Sequence, residues 1–187
     1  MKTPLKELIT DGAYDSMLTR LQANNNPNLH LLVYDKNFTV NDFLVIPKHF
    51  FLPEIIVKRP ELNPTARRAG WVGCNINISA IGDAGKVFYV KNKSIIRPEF
   101  VVQNYNKTFF LRESALDQKR WIMEIIKIVN IMPQNEFSLK DIYAYVDELQ
   151  LLFPENMHIK EKIRQQLQIL RDKGYISFVG RGLYRKL

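Results

Sequence analysis

The sequence predicts an α/β domain followed by a smaller domain of three helices closed by a two-stranded hairpin. Three observations carry this expectation. Apolar stretches with the length and branching of buried strands crowd the first part of the chain, as in "LHLLVYD" and "DFLVIP". From Ser114 onward the apolar residues recur at helical spacing instead, and the chain ends in a basic helix that runs into a short hairpin. A length of 187 residues suits one domain or two small ones, and the change of pattern divides the chain into residues 1–112 and 113–187.

The elements follow in order. "TDGAYDSMLTRLQANNNPN" contains a short helix from about Tyr14 to Ala23, ended by an Asn-rich turn and Pro27. "LHLLVYD" and "DFLVIP" are strands joined by the polar "KNFTVN". Prolines interrupt the segment from Pro53 to Pro64, which reads as a loop. A strand covers about Gly73 to Ile78, and "GKVFYVKNKSII" supplies another strand and a turn. Then "LDQKRWIMEIIKIVNIM" and "SLKDIYAYVDELQLLF" each repeat apolar residues at helix spacing. In the last helix Ile159, Ile163, Leu167 and Leu170 fall on one face, and Gly174 stands where a C-cap belongs. "YISFV" and "LYRKL" are two short strands joined by "GRG".

Three helices and a two-stranded wing are the pattern of a winged helix, a fold that places its third helix in the DNA major groove and its wing along the backbone or minor groove. That geometry assigns Lys160, Arg164, Gln165 and Gln168 to base edges and phosphates, and Arg181, Arg185 and Lys186 to the wing. Arg and Gln are the side chains able to make bidentate contacts to guanine and adenine. The span from His158 to Leu187 holds eight Lys/Arg against Glu161 and Asp172, a net of +6 out of +8 for the whole chain. The alternatives are a solvated charged helix that closes a helical subdomain, or a winged helix that contacts protein.

Composition narrows the class. A pI near 9.5 favours a polyanionic partner, and neither terminus offers a basic amphipathic helix with an apolar anchoring face. The start "MKTPLKELITDG" has no signal-like apolar run, and nowhere do about 18 apolar residues follow one another. A cytoplasmic protein without membrane contact is expected. Cys74 is the only cysteine and the three histidines are scattered, so neither a disulfide within the chain nor a Cys-cluster zinc site is expected.

"PTARRAGWVGCN" departs from plain packing. Arg67 and Arg68 precede a Gly-Trp-Val-Gly unit, so Trp71 lies between two glycines beside fixed positive charge. Such a ring can stack on a base or meet a methyl group while the arginines hold phosphates. A core tryptophan at the start of a strand, with surface arginines next to it, fits the spacing as well.

In this order, "DGAY", "NNNPN", "PTARRAGW", "GCNI", "IKEKIRQQLQILRDK" and the closing "GRG" with "YRKL" resemble the Dpn I family of methyl-directed restriction endonucleases. The resemblance covers nearly all of the chain from Thr10 onward. It implies an N-terminal nuclease domain of the PD-(D/E)XK type joined to a winged helix, both reading GATC whose adenine carries an N6-methyl group. It also implies that Trp71 meets the methylated adenine.

The resemblance breaks at the start. Where the family has a helical N-terminus, a Cys-rich zinc segment, a catalytic Asp and a Glu-x-Lys strand, this sequence has Met1 to Ile9. Asp117-Gln118-Lys119 has a comparable spacing but opens an amphipathic helix, where it reads as a solvated face. Asp11, Asp15, Asp35 and Asp42 are scattered, and phosphodiester hydrolysis needs converging carboxylates around a divalent ion. The expectation is a remnant of the nuclease-like domain that binds methylated GATC duplexes without cutting them. Such a chain has no catalytic residue, no metal ligand and no cofactor of its own. Mg²⁺ and a structural Zn²⁺ would belong to the complete family enzyme. The missing strands would leave an apolar sheet edge open to pairing. A truncated or miscalled reading frame, a separate chain supplying the catalytic half, and a decayed or repurposed reader of methylated DNA all fit this pattern. Two rival functions stand beside the reader: part of an active methyl-dependent endonuclease, and a winged-helix transcription regulator.

Overall fold

The computed structural model describes residues 5–23 and 25–187. Met1 to Pro4, from the short start, and Asn24, from the Asn-rich turn, lie outside the described residues. The chain forms two compact units, Met1–Tyr105 and Asn106–Leu187, which part ahead of the boundary expected after residue 112.

In the first unit the elements are β1 (Leu8–Ala13), α1 (Tyr14–Gln22), β2 (Leu29–Tyr34), β3 (Val40–Ile46), β4 (Ile56–Glu61), β5 (Val72–Asn77), β6 (Val87–Lys91) and β7 (Ser94–Ile95), followed by α2 (Pro98–Asn106). They build two antiparallel sheets, a three-stranded one of order β1-β5-β4 and a four-stranded one of order β2-β3-β6-β7. Leu44, Val45 and Ile46 on β3 and Cys74 and Ile76 on β5 are buried together with Phe50, Ile78 and Ile81.

Two strands of the three-stranded sheet depart from expectation. The segment expected as a Pro-bounded loop contains β4, which carries Pro60. Proline cannot donate to a ladder, and here it sits on an edge strand in the irregular register between Lys58, opposite Cys74, and Glu61, opposite Val72. β1 pairs with β5 from Leu8 to Ala13 through a register shift after Asp11. Its sequence, "LITDGA", has no apolar alternation by which to read it.

The second unit contains α3 (Leu116–Ile131), β8 (Glu136–Ser138), α4 (Leu139–Tyr143), α5 (Val146–Leu152), α6 (Ile159–Asp172), β9 (Ile176–Gly180) and β10 (Leu183–Lys186). The expected second helix is two short ones, joined by a tight turn in which Tyr145 N–H bonds the Ile142 carbonyl. The hairpin gains a third strand, giving the order β8-β10-β9. The buried set is continuous in type: Trp121, Ile122, Ile125, Ile126 and Val129 from α3, Ile142 and Leu149 from the short helices, and Ile159, Ile163, Leu167 and Leu170 from α6. Gly174, at φ 68°, closes α6. Tyr175 N–H returns to the Leu170 carbonyl and Gly174 N–H to that of Arg171, the paired bonds of a Schellman cap. No helix among the described residues is long and apolar enough to cross a membrane.

Ser138 starts α4 with a capping box. Its hydroxyl accepts the Asp141 N–H at 3.3 Å, while the Asp141 carboxylate accepts the Ser138 N–H at 2.7 Å and its hydroxyl at 2.8 Å. The backbone bond from Ser138, then its hydroxyl, hold the Asp141 carboxyl below its ordinary value of 3.8. Ser138→Ala should therefore lower stability by about 1 kcal/mol, seen as a lower urea midpoint at unchanged slope. Because the folded pKa is depressed, the contribution of the box is present above the ordinary carboxyl range and is lost as pH falls through the folded value. The gap between wild type and variant should close there.

Candidate nucleic-acid interface

Burying Ile159, Ile163, Leu167 and Leu170 leaves the rest of α6 turned outward, and the helical period decides which charges share the flank beside the core. At 100° per residue Lys160, Arg171, Arg164 and Gln168 fall within an arc of about 80°. Gln165 lies farther round, beside Glu161 and Asp172. Lys160, Arg164, Gln165, Gln168 and Arg171 are all exposed. Tyr143 borders the stripe. Arg164 Nη1 donates to the Tyr143 hydroxyl at 3.3 Å, and Lys160 Nζ stands 5.5 Å from the centre of that ring. Burial pushes the Tyr184 hydroxyl up and the charge of Arg171 opposes it, with Tyr143 acting in the same direction as burial. Tyr143, Arg171 and Tyr184 were absent from the residues read from the sequence. Arg171 was legible there, since it follows Lys160 by eleven residues, the spacing that repeats a helix face.

The three wing residues separate. Arg181 is exposed at the turn between β9 and β10, next to Gly182 at φ 68°, where a side chain would be strained. Arg185 lies toward the far end of β10 from the turn, where its Nε and Nη2 donate to Glu136 Oε1 at 2.9 and 2.7 Å across the β8–β10 pair. Lys186 Nζ donates to the Met132 carbonyl. These two expected DNA contacts are therefore also bonds that tie the wing to the body of the unit.

In the first unit the loop 62–71 closes the β4–β5 hairpin as an ordered turn system. Asn63 Oδ1 accepts from the backbone and hydroxyl of Thr65 at 3.1 Å each. Ala66 N–H bonds the Asn63 carbonyl, Trp71 N–H that of Arg68, and Leu62 N–H that of Trp71. Gly70 takes φ 81° at the return into β5. Arg67 and Arg68 are exposed on this loop, and Trp71 is half-buried at its base. The indole lies along the strand over Gly73: a Cβ built on Gly73 would come within 2.8 Å of the ring and 3.5 Å of Arg59 Cδ. Trp71 is thus neither a core residue nor a free one. Arg59, which sequence reasoning missed, belongs to its surroundings.

Three of the four scattered carboxylates accept hydrogen bonds from nearby groups. Asp35 accepts Asn37 N–H and Thr39 N–H on one oxygen and the Lys93 ammonium on the other at 3.1 Å, and the Lys93 bond holds its carboxyl below the ordinary value. Asp42 accepts Asn92 N–H, and Asp11 the N–H of Gly12. Among the described residues no group of three His, Cys, Asp or Glu is arranged to hold a metal ion. The buried Cys74 thiol has no sulfur partner and is pushed up chiefly by burial.

Comparison with known proteins gives two matches that together run through both units. A model of the Dam-replacing family, DpnI, matches residues 1–114, and a model of the Dam-replacing HTH domain matches residues 117–186.

The Gly73 contact generates a direct test of where the indole sits. In a Trp121→Phe background, which leaves Trp71 as the single tryptophan, Gly73→Ala should displace the ring toward solvent and shift its fluorescence emission to the red. An unchanged spectrum would mean that the ring does not rest on Gly73.

Proposed function

The chain belongs to the Dam-replacing, Dpn I type family, its second unit being that family's helix-turn-helix domain, and from this premise we propose that it is a reader of adenine-methylated GATC in duplex DNA. The single observation that carries DNA binding is the stripe of Lys160, Arg164, Gln168 and Arg171 on the outward side of α6, with Arg181 at the wing turn. Lysine and arginine heads neutralise phosphates and displace counterions, which fixes the protein on the duplex without regard to sequence. Gln168, Gln165 and the arginines supply the donors and acceptors suited to base edges in the major groove.

Methyl reading is assigned to Trp71. A methyl group on N6 adds apolar surface at a position that otherwise offers only a donor, and a half-exposed indole gains from covering it. Arg67 and Arg68 on the same loop would hold flanking phosphates. The two units would then read one mark separately. The first unit is taken as a nuclease-like domain of the PD-(D/E)XK type that, in this chain, binds in the cytoplasm without cutting. The separate hydrogen bonds of Asp11, Asp35 and Asp42, each to a different partner, support this, since they do not converge on one point.

A second reading has its own support. Among the described residues β1 and β2 each pair on one side only, and a groove of about 310 Å³ lined by Leu5, Lys6, Ile9 and Leu31 to Tyr34 runs by them. A free edge beside a largely apolar groove accepts a further strand. In that reading a separate polypeptide occupies the groove and brings the metal-binding carboxylates of an active methyl-dependent endonuclease.

The test is a titration on one GATC duplex, methylated and unmethylated, at fixed salt with Mg²⁺, with the same samples run on a denaturing gel. Selective binding of the methylated duplex without strand breaks is expected. Methyl-dependent cuts would overturn the non-cleaving assignment, and equal affinity for both duplexes would overturn methyl reading. Trp71→Ala should narrow the ratio between the two affinities. Arg181→Ala should weaken both alike and reduce the slope of log K against log salt by about 0.9.

A further inference from the structure

The wing carries an apolar surface that the phosphate contacts leave without a purpose. Phe178 is 55 % exposed and Val179 40 %, on the strand that leads into the Arg181 turn. Phe178 stands opposite Tyr184 and Tyr184 opposite Phe137 in the strand order β9, β10, β8. Their rings form a ladder with centroids 6.1 and 5.6 Å apart. Burial falls along it: Phe137 is buried, Tyr184 half-buried and Phe178 exposed. Phe178 also shares a strand face with Ile176, which is 1 % exposed. The apolar side of the sheet therefore starts in the core of the unit and continues outward past its edge, where Phe178 ends it uncovered.

What borders this end identifies the occupant. Arg181 lies at the adjoining turn, directly after the strand that carries Phe178. A large exposed ring backed by a ladder of rings, with Arg181 three residues on, suits a surface that is anionic outside and apolar within. The groove of a duplex has that composition, with phosphates along its rims and deoxyribose and base edges inside, and proteins press phenylalanine side chains into such grooves.

We propose that Phe178, backed by Tyr184 and Phe137, is an apolar contact of the wing with duplex DNA, supplying affinity that does not depend on counterion release. The inference rests on the DNA-binding reading of the second unit. It adds a chemistry that the arginines and lysines cannot provide. The apolar atoms Phe178 covers come either from the sugars and thymine methyl groups common to all such duplexes or from the added methyl of the modified adenine.

The experiment uses the full chain and measures affinity at several salt concentrations on methylated and unmethylated GATC duplexes for wild type, Phe178→Ala and Phe178→Leu. Phe178→Ala should lose about tenfold in affinity, with the slope of log K against log salt unchanged, and Phe178→Leu should recover most of the loss. An equal loss on both duplexes assigns the contact to sugars or thymine methyls, and a loss confined to the methylated duplex assigns it to the modified base. Unchanged affinity of Phe178→Ala, or a change in the salt slope, would overturn the proposal while leaving the basic stripe as the DNA contact. A wild type that binds neither duplex would instead remove the reading on which it rests. Matching thermal midpoints for the three proteins confirm that the exposed position was altered without unfolding the unit.

Discussion

The seating of α6 on α3 is the constraint on which the second unit depends. Ile159, Ile163, Leu167 and Leu170 occupy one side of α6, and all four are buried with Trp121, Ile122, Ile125 and Val129 of α3. Each fully buried aliphatic side chain contributes about 1.5 to 3 kcal/mol relative to its exposed state, so rotating the helix by a single residue would forfeit the core. The rotation is therefore fixed, and with it the identity of every residue that faces outward. Lys160, Arg164, Gln168 and Arg171 are presented because burial of the four core side chains fixes the rotation that leaves their shared flank outside. Function here follows from packing before any contact with DNA is considered.

That coupling explains why the C-terminal half was legible in the sequence and much of the first unit was not. A helix announces itself by a period, and α6 carries its period together with its terminator, Gly174, whose positive φ closes the Schellman bonds. β8 has three residues, too few to alternate, and only its partner β10 makes it a strand. β1 and β4 lie at the edges of their sheet and contain Gly12 and Pro60, residues that argue against strands in isolation. Both are held by pairing with β5, a relation between segments distant in sequence. The same limit applies to the interface. Arg171 was readable from spacing, but Tyr143 joins the stripe only through the fold, and nothing local to "PTARRAGW" shows that the indole would lie on Gly73.

The Trp71 position shows how a small residue can seat a large ring. Gly73 is buried in β5 with an ordinary backbone, so its lack of a side chain serves the neighbouring ring rather than a turn. The indole rests over Gly73, and one part of it stays accessible. A ring held this way loses little conformational freedom on binding, and pre-organisation of that sort favours discrimination by small apolar groups. The ordered 62–71 loop does the same for Arg67 and Arg68, which are carried on a hydrogen-bonded frame and not on a slack chain.

Formal charge overstates what the second unit presents to a polyanion. Arg164 is paired with Glu161, Arg171 with Asp172 and Arg185 with Glu136, all near 2.8 Å and all substantially exposed. Pairs of this kind are worth about 0 to 1 kcal/mol each, so a phosphate can displace or share them at small cost. Arg185 differs from the other two because its pair lies across the strands that hold the wing, and Lys186 is bonded to a backbone carbonyl. Drawing either toward DNA would loosen β10 from β8. The division of labour is then physical: the stripe on α6 and Arg181 are available to phosphates, while Arg185 and Lys186 keep rigid the sheet that carries Arg181 at its turn. A basic hairpin in the sequence thus contains two kinds of basic residue, and only the pairing of strands tells them apart.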